Sequence, residues 1–231
     1  MTVINDIFSG SIFFGGALTL AAMWCGALLQ RKIKAVNPMV FAIIAIIVFL
    51  KVFNISYETY DEGAKYISYL LTPVTVALAI PLYRQLNVLK RSAKEIIGGI
   101  TAGVAASLAS VFGLALVFGL THEEYTTLLP KSVTTAIGMG ISEESGGMVT
   151  ITIAVILITG IIGNIFGDII LKLFRVKDPV AKGVAMGTGA HAFGTMRALQ
   201  MGETEGAMSS LAVAVAGLIT VLGAAVFSNF I

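Results

Sequence analysis

Cysteine is nearly absent from this sequence, which has a single one, Cys25, among its 231 residues. One cysteine excludes a disulfide within the chain and a metal site built from several thiolates. Motifs for phosphate-loop, zinc-protease, serine-hydrolase and dinucleotide sites are missing as well. The basic residues are scattered over short connections and form no nucleic-acid surface. We therefore expect that the protein binds no cofactor, no metal ion and no nucleic acid, and that it is not an enzyme.

Charged residues are also scarce. They make up 12% of the sequence, against roughly 25% in an ordinary soluble domain, whereas hydrophobic residues make up 57%. A helix needs about 20 residues to cross a hydrocarbon core of about 30 Å, and several apolar stretches are of that order. The composition predicts an all-α, polytopic membrane protein with a single membrane domain over residues 1–231. The N-terminal stretch lacks a basic region and a cleavage site, so we expect no signal peptide.

The apolar stretches predict about seven transmembrane helices, at residues 7–29, 39–53, 67–83, 96–120, 148–171, 183–199 and 206–231. Lysine and arginine are more numerous in the first, third and fifth connections than in the others. Because basic connections tend to stay in the cytoplasm, this pattern predicts an N-terminus outside and a cytoplasmic C-terminus. The acidic connection at 51–65 and the connection after residue 120 are then on the outer side.

Segment 131–147 is too short to cross the membrane comfortably, and a crossing there would place a strongly basic loop outside. We predict a re-entrant segment that enters from the outer side and lies in the protein interior near a solute path. Its hydroxyl groups suit a small oxyacid. Glu143 could carry a coupled proton, or it could simply face water. The candidate substrate-binding residues here are Ser132, Thr134, Thr135 and Ser142.

Residues 75–86 and 188–199 share matching threonine, alanine, arginine and leucine positions. With the predicted topology, this similarity indicates a 3+3 inverted repeat, a plan typical of secondary transporters. The halves are residues 38–120 and 148–231, after a first helix and loop at 1–37. Prolines in one matched helix and glycines in the other predict two discontinuous helices that cross near the midplane, with half-helix N-termini facing an anion. The alternative for the glycines is close helix packing.

The interrupted helices supply the remaining candidate substrate-binding residues. His191 lies within the glycine-rich break and could also carry a proton, although a buried histidine often serves packing alone. An arginine could offer its guanidinium to a carboxylate or simply extend to the membrane interface. The set comprises Thr75, Pro81, Thr188, Gly189, His191, Thr195 and Arg197.

Three blocks of the sequence resemble the LrgB/CidB family of bacterial membrane proteins: LLTPVTVALAIPLYRQL, LLPKSVTTAIGMGISEESGG and KGVAMGTGAHAFGTMRALQMGETEGAMSSLA. The resemblance covers nearly the whole chain. Ala136 stands where the family typically has proline. The resemblance implies a protein of the bacterial inner membrane that modulates murein hydrolase activity and autolysis together with a small holin-like membrane partner. The family is also similar to the C-terminal half of the plastid glycolate/glycerate transporter, which implies transport of small monocarboxylates.

Three hypotheses follow. The first is an alternating-access carrier for pyruvate, glycolate or glycerate-like anions, which could be proton-coupled and homo-oligomeric. The second is a pore-forming or regulatory subunit of a holin/antiholin-like system. The third and weakest is an intramembrane enzyme that uses His191 and Glu143.

Overall fold

The computed structural model describes residues 8–33, 38–70, 73, 79–84 and 86–231, and these residues form helices and turns without any strand. The chain divides into two compact units, Met1–Ala77 and Leu78–Ile231. The all-helical class predicted from the sequence is confirmed for the described residues.

In its described residues the first unit contains three helices, α1 (Phe14–Lys32), α2 (Pro38–Val52) and α3 (Tyr57–Ser68). Glycines allow α1 to lie directly against the backbone of both other helices, Gly15 against Tyr60 and Gly26 against Pro38. Ser56 begins α3 by accepting a hydrogen bond from Thr59 N at 3.2 Å. The acidic stretch predicted to be an outer connection is therefore mostly helical. Residues 71, 72 and 74–78 of the predicted span 67–83 lie outside the described residues.

The second unit begins with two short helices, α4 (Ala79–Arg84) and α5 (Leu86–Arg91), and continues with α6 (Ala93–Phe118), α7 (His122–Leu128), α8 (Thr135–Glu144), α9 (Val149–Leu173), α10 (Pro179–Met201) and α11 (Glu203–Phe227). Among the described helices, α6, α9 and α11 with its terminal 3₁₀ turn are long and apolar enough to cross a membrane. Large apolar side chains remain exposed on their outer faces, among them Phe166, Ile169 and Leu222. Lipid accounts for this exposure, since a soluble surface avoids large contiguous apolar patches.

The core of the second unit lies between α6 and α11. Ile96, Ile100 and Leu108 on α6 are buried with small residues of α11 such as Ala212 and Ala216. Small side chains let membrane helices approach closely, because dispersion contacts rather than water exclusion hold them together.

Helices α7 and α8 form a hairpin, called here the first hairpin (residues 122–145). Its two ends meet, since the His122 ring lies 3.1 Å from the carbonyl of Ser145. Its tip reaches halfway along α6, where Ser107 Oγ lies 3.2 Å from Ser132 Oγ. A capping box between Thr121 and Glu124 begins α7, and the bonds that the carboxylate of Glu124 accepts lower its pKa. The predicted re-entrant segment therefore forms the tip and second arm of a hairpin that enters and leaves at one end of the unit.

Helix α10 is interrupted at its centre, as the glycine-rich sequence predicted. Ala190 and His191 leave the helical conformation, and His191 has φ 41° and ψ −133°. The chain then turns back on itself, because Gly194 packs against the carbonyl of Met186 eight positions earlier. The two arms, before and after this break, contact the same stretch of α9: Gly167 faces Met186 of the first arm, and Asp168 pairs with Arg197 of the second. We call residues 179–201 the second hairpin.

The same arms also pack side by side on α11. Gly183 and Gly187 of the first arm lie against Glu205 and Ser209, while Leu199 of the second arm lies against Gly206. The second hairpin therefore enters and leaves at the end of the unit opposite to that of the first hairpin. We call this end, which carries Lys172, Arg175, Lys177 and Lys182, the basic end.

Two sequence predictions are corrected by this arrangement. The stretch 183–199 does not cross the unit, because each arm of about 11 residues spans only about 16 Å at 1.5 Å per residue. The chain end also cannot lie opposite residue 122, because the His122 ring contacts the carbonyl of Ile231 at 2.6 Å and Tyr125 donates to Phe227 O at 2.9 Å. An outer position for His122 and a cytoplasmic C-terminus are thus incompatible. The count of seven spans and the 3+3 repeat both included 183–199 as a crossing, and the structure confirms neither.

A candidate anion site between two opposed hairpins

A cavity of about 890 Å³ in the second unit extends from the beginning of α6 to its middle. At the basic end it is bordered by Glu95 and by Asp178, whose carboxylate caps α10 by accepting from Ala181 N at 2.9 Å. At the deep end it is lined by residues of both hairpins and of α6, namely Gly103, Ser107, Lys131, Ser132, Thr188 and Gly189. The two hairpins thus contribute to one cavity from opposite directions.

Lys131 supplies a positive charge at the deep end of the cavity. Its ammonium donates to Ser107 Oγ at 3.1 Å and to Ser132 Oγ at 3.0 Å. Within the described part of the chain, no carboxylate lies within 4.0 Å of it. A half-buried cation without a counter-ion is costly at membrane depth, and an anion in the adjoining cavity would compensate it.

Thr188 supplies a second unsatisfied group. Its side-chain oxygen is buried and has no hydrogen-bond partner among the described residues. The residue is held there by close packing on α6, since a methyl group added to Gly103 would lie 2.7 Å from the Thr188 methyl. A buried hydroxyl without a partner costs about 1–3 kcal/mol. A ligand oxygen in the cavity would satisfy it.

The N-terminus of α8 adds a partial positive charge. This ten-residue helix begins at Thr135, directly after the tip that carries Lys131 and Ser132. Thr134 precedes it in an extended conformation and makes no side-chain capping bond. The first backbone N–H groups of a helix favour an anion. Lys131 and Thr188 thus line the same cavity, and the N-terminus of α8 follows Lys131 closely in the chain.

Four of the predicted binding residues hold the fold together outside the cavity lining. Ser142 accepts a hydrogen bond from Thr152 at 2.8 Å and fixes the first hairpin to α9. Thr195 shares a hydrogen bond of 2.9 Å with Ser209 of α11. Arg197 binds Asp168 and donates to Gln200 at 2.8 Å.

His191 is the fourth of these residues and anchors the turn of the second hairpin. Its side chain is buried against α9, where Nε2 lies 3.1 Å from the carbonyl of Ile156. Gly160 makes room for the ring, because a Cβ there would approach it to 2.7 Å. His191 thus faces away from the cavity and holds a backbone conformation that is unusual for a residue other than glycine.

The remaining predicted residues lie elsewhere. Glu143 is exposed near the end of α8, remote from the hairpin tip. Thr75 and the side chain of Pro81 lie outside the described residues. Arg84, the matched arginine, is exposed and lies 3.8 Å from Glu203, an ion pair of the kind that adds little stability.

The structure therefore brings together Ser132, Thr188 and Gly189 of the predicted set. Thr134 and Thr135 follow Ser132 closely in the chain. Sequence reasoning missed Lys131, Ser107 and Gly103. Lys131 carries a signal that could have been used, since it is a lone cation between an apolar stretch and a run of hydroxyl residues. Ser107 and Gly103 carry no such signal in the sequence, because they resemble the other small residues of α6.

Comparisons with known proteins show the family of this chain. The sequence model of the LrgB-like family matches residues 19–230. The chain belongs to this family. It is 41% identical over 222 residues to the antiholin-like protein LrgB of Bacillus cereus (strain B4264), a match that covers 95% of this chain and 96% of that protein. The antiholin-like protein LrgB of Bacillus anthracis (strain CDC 684 / NRRL 3495) is similar to the same extent.

No solved structure matches this chain significantly. Membership of the LrgB-like family, together with the apolar helices, indicates a membrane protein. The LrgB-like family is not a known enzyme family.

Proposed function

We propose that this protein is an antiholin-like regulator of lysis in the bacterial plasma membrane, and that it acts by moving small monocarboxylate anions across that membrane. The names of its relatives support the first part. The second part rests on one observation: Lys131, with no carboxylate of the described residues within 4.0 Å, and Thr188, whose buried hydroxyl has no partner among those residues, line the same cavity. The two parts are compatible if control of lysis follows indirectly from carboxylate movement.

The donors around the cavity fit a short carboxylic acid that carries a second oxygen. The ammonium of Lys131 suits the carboxylate, and the hydroxyl of Thr188 suits a hydroxyl or keto oxygen on the next carbon. Pyruvate, glycolate and glycerate have this pattern and are small relative to a cavity of about 890 Å³. Charge-assisted hydrogen bonds of this kind are stronger than neutral ones.

Two opposed hairpins provide a physical basis for alternating access. The first hairpin lies between the donors and one end of the unit, and the second hairpin borders the cavity from the other end. A shift of either hairpin along α6 would change the side from which the donors are reached. Irregular backbone at this depth is tolerated where it lines a cavity. Proton coupling through Glu143 or His191 stays a prediction.

The test is uptake of radiolabelled pyruvate, glycolate and glycerate into proteoliposomes. We expect saturable flux that falls by about 10- to 100-fold in Lys131→Gln, the range that loss of one charged hydrogen bond of about 1.5–3 kcal/mol implies. Lys90→Gln removes an exposed cation of α5 that does not line the cavity, and it should leave flux unchanged. Equal uptake with and without protein would reject carriage of these anions.

A second candidate is a regulatory or pore-forming subunit that restrains a small holin-like partner, assembled as a homo-oligomer. The names of the relatives favour it. In cells that lack the native gene, the Lys131→Gln variant separates the two candidates. Loss of both flux and lysis control favours carriage as the basis of regulation. Loss of flux with intact control of murein hydrolase activity favours the regulatory subunit, and release of large dyes from liposomes favours a pore.

A further inference from the structure

A second cavity, of about 460 Å³, lies at the basic end between the end of α9 and the second hairpin. Four cationic side chains line it, Lys172, Arg175, Lys177 and Lys182. Among the described residues, none of the four lies within 4.0 Å of a carboxylate. The cavity therefore concentrates positive charge that the protein itself does not neutralise.

The carboxylate in the cavity lining already has a partner. Asp168 pairs with Arg197, and that arginine also donates to Gln200 at 2.8 Å. Asp178 is nearby in sequence, but it lines the other cavity and caps α10. The charge offered to a ligand is thus that of the four cations.

The backbone after α9 directs these cations to one place. Arg175 has φ 56°, and Val176 N donates to Leu171 O at 2.9 Å, which closes a tight turn at the end of the helix. The turn brings Lys177 back toward Lys172. Attraction between cations and the C-terminal carbonyls of a helix would account for Lys172 alone. It does not account for Lys182, which comes from α10 and faces the same cavity.

Apolar surface lies both inside and beside the cavity. Leu171, Val176 and Met201 form part of its lining. On the adjoining surface of α9, Leu173 and Phe174 are 74% and 73% exposed. An anionic group linked to hydrocarbon chains would match both features, whereas a free inorganic anion would match the charge alone.

We infer that this cavity binds the phosphate headgroup of an anionic phospholipid, whose acyl chains lie along the exposed face of α9. Basic pockets between membrane helices bind such headgroups through charge-assisted hydrogen bonds. The bound lipid would stabilise the junction between α9 and the second hairpin. This site is separate from the cavity that contains Lys131.

The test uses the full-length protein in detergent with defined lipids added. Thermal unfolding and lipid retention are measured with cardiolipin, phosphatidylglycerol and phosphatidylcholine, and separately with inorganic phosphate and glycerol 3-phosphate. The variant is Lys172→Gln with Lys177→Gln. The matched control is Lys90→Gln with Arg91→Gln, which removes the same charge from exposed positions outside the cavity.

We expect the anionic lipids to raise the unfolding temperature and the cavity variant to bind them about tenfold or more weakly, since each basic residue near a lipid surface contributes about fivefold. The control should bind as the unaltered protein does, and the charge-preserving Lys172→Arg with Lys177→Arg should retain binding. Equal binding of phosphatidylcholine, equal losses in both glutamine variants, or full competition by inorganic phosphate would overturn the assignment. Unfolding temperatures without lipid exclude a general folding defect.

Discussion

Lys131 Nζ donates to Ser107 Oγ at 3.1 Å, and this contact fixes the tip of the first hairpin to the middle of α6. One helical turn earlier, Gly103 receives the methyl group of Thr188 from the second hairpin. Positions i and i+4 lie on the same face of a helix. The two hairpins, which enter from opposite ends, therefore meet within one turn of α6, and the cavity lies where they meet.

Replacing Lys131 by methionine should separate stability from function. The ammonium has no carboxylate partner in the described part of the chain, so an apolar group of similar length should leave the unfolding temperature unchanged or raise it. The serines can retain their mutual hydrogen bond of 3.2 Å. Carboxylate uptake should nevertheless fall by about tenfold or more. A large loss of thermal stability would show instead that Lys131 is a structural residue.

Thr188→Val removes an unpartnered buried hydroxyl and keeps the shape of the side chain. Because no described group bonds to that oxygen, we expect a gain in stability of up to about 1 kcal/mol. Thr195→Val is the matched comparison, since it breaks the bond to Ser209 and should cost about 1 kcal/mol. Chemical unfolding in detergent measures both. If Thr188→Val destabilises the protein as much as Thr195→Val, the hydroxyl is not a free ligand group.

Gly103→Ala should push the second hairpin away from α6. Its added methyl would lie 2.7 Å from that of Thr188, and overpacking of this kind costs about 1–3 kcal/mol. Gly98→Ala lies on the same helix with nothing within 4 Å, so it should instead stabilise by about 0.5–1 kcal/mol. Thermal unfolding and uptake are compared for the pair. Similar behaviour of the two variants would mean that the hairpin contact at Gly103 is unimportant.

Several parts of this fold could be predicted from the sequence. The long apolar stretches near α6, α9 and α11 predict membrane helices, because a helix that crosses lipid needs about 20 apolar residues. The break near His191 is visible in its glycines, and segment 131–147 is visibly too short to cross. These are local properties of the chain.

What could not be predicted depends on contacts between distant residues. Hydropathy does not distinguish a crossing helix from two short arms, so the sequence predicts a span at 183–199, although Gly194 folds back onto Met186. Polarity does not tell which way a side chain faces, so His191 and Ser142 resemble ligand-binding residues although they bond to Ile156 and Thr152. Lys131 was overlooked because its significance depends on the absence of a nearby carboxylate.

The corrected topology makes a prediction about the sides of the membrane. In a background with Cys25→Ser, single cysteines are introduced at exposed positions by Glu123→Cys, Asn229→Cys and Lys177→Cys. A membrane-impermeant maleimide applied to right-side-out and to inverted vesicles should label positions 123 and 229 from the same side and position 177 from the other. The reason is that His122 contacts Ile231 O at 2.6 Å, whereas the second hairpin returns to the basic end. Labelling of position 229 together with 177 would restore the crossing at 183–199 and contradict the two-hairpin arrangement.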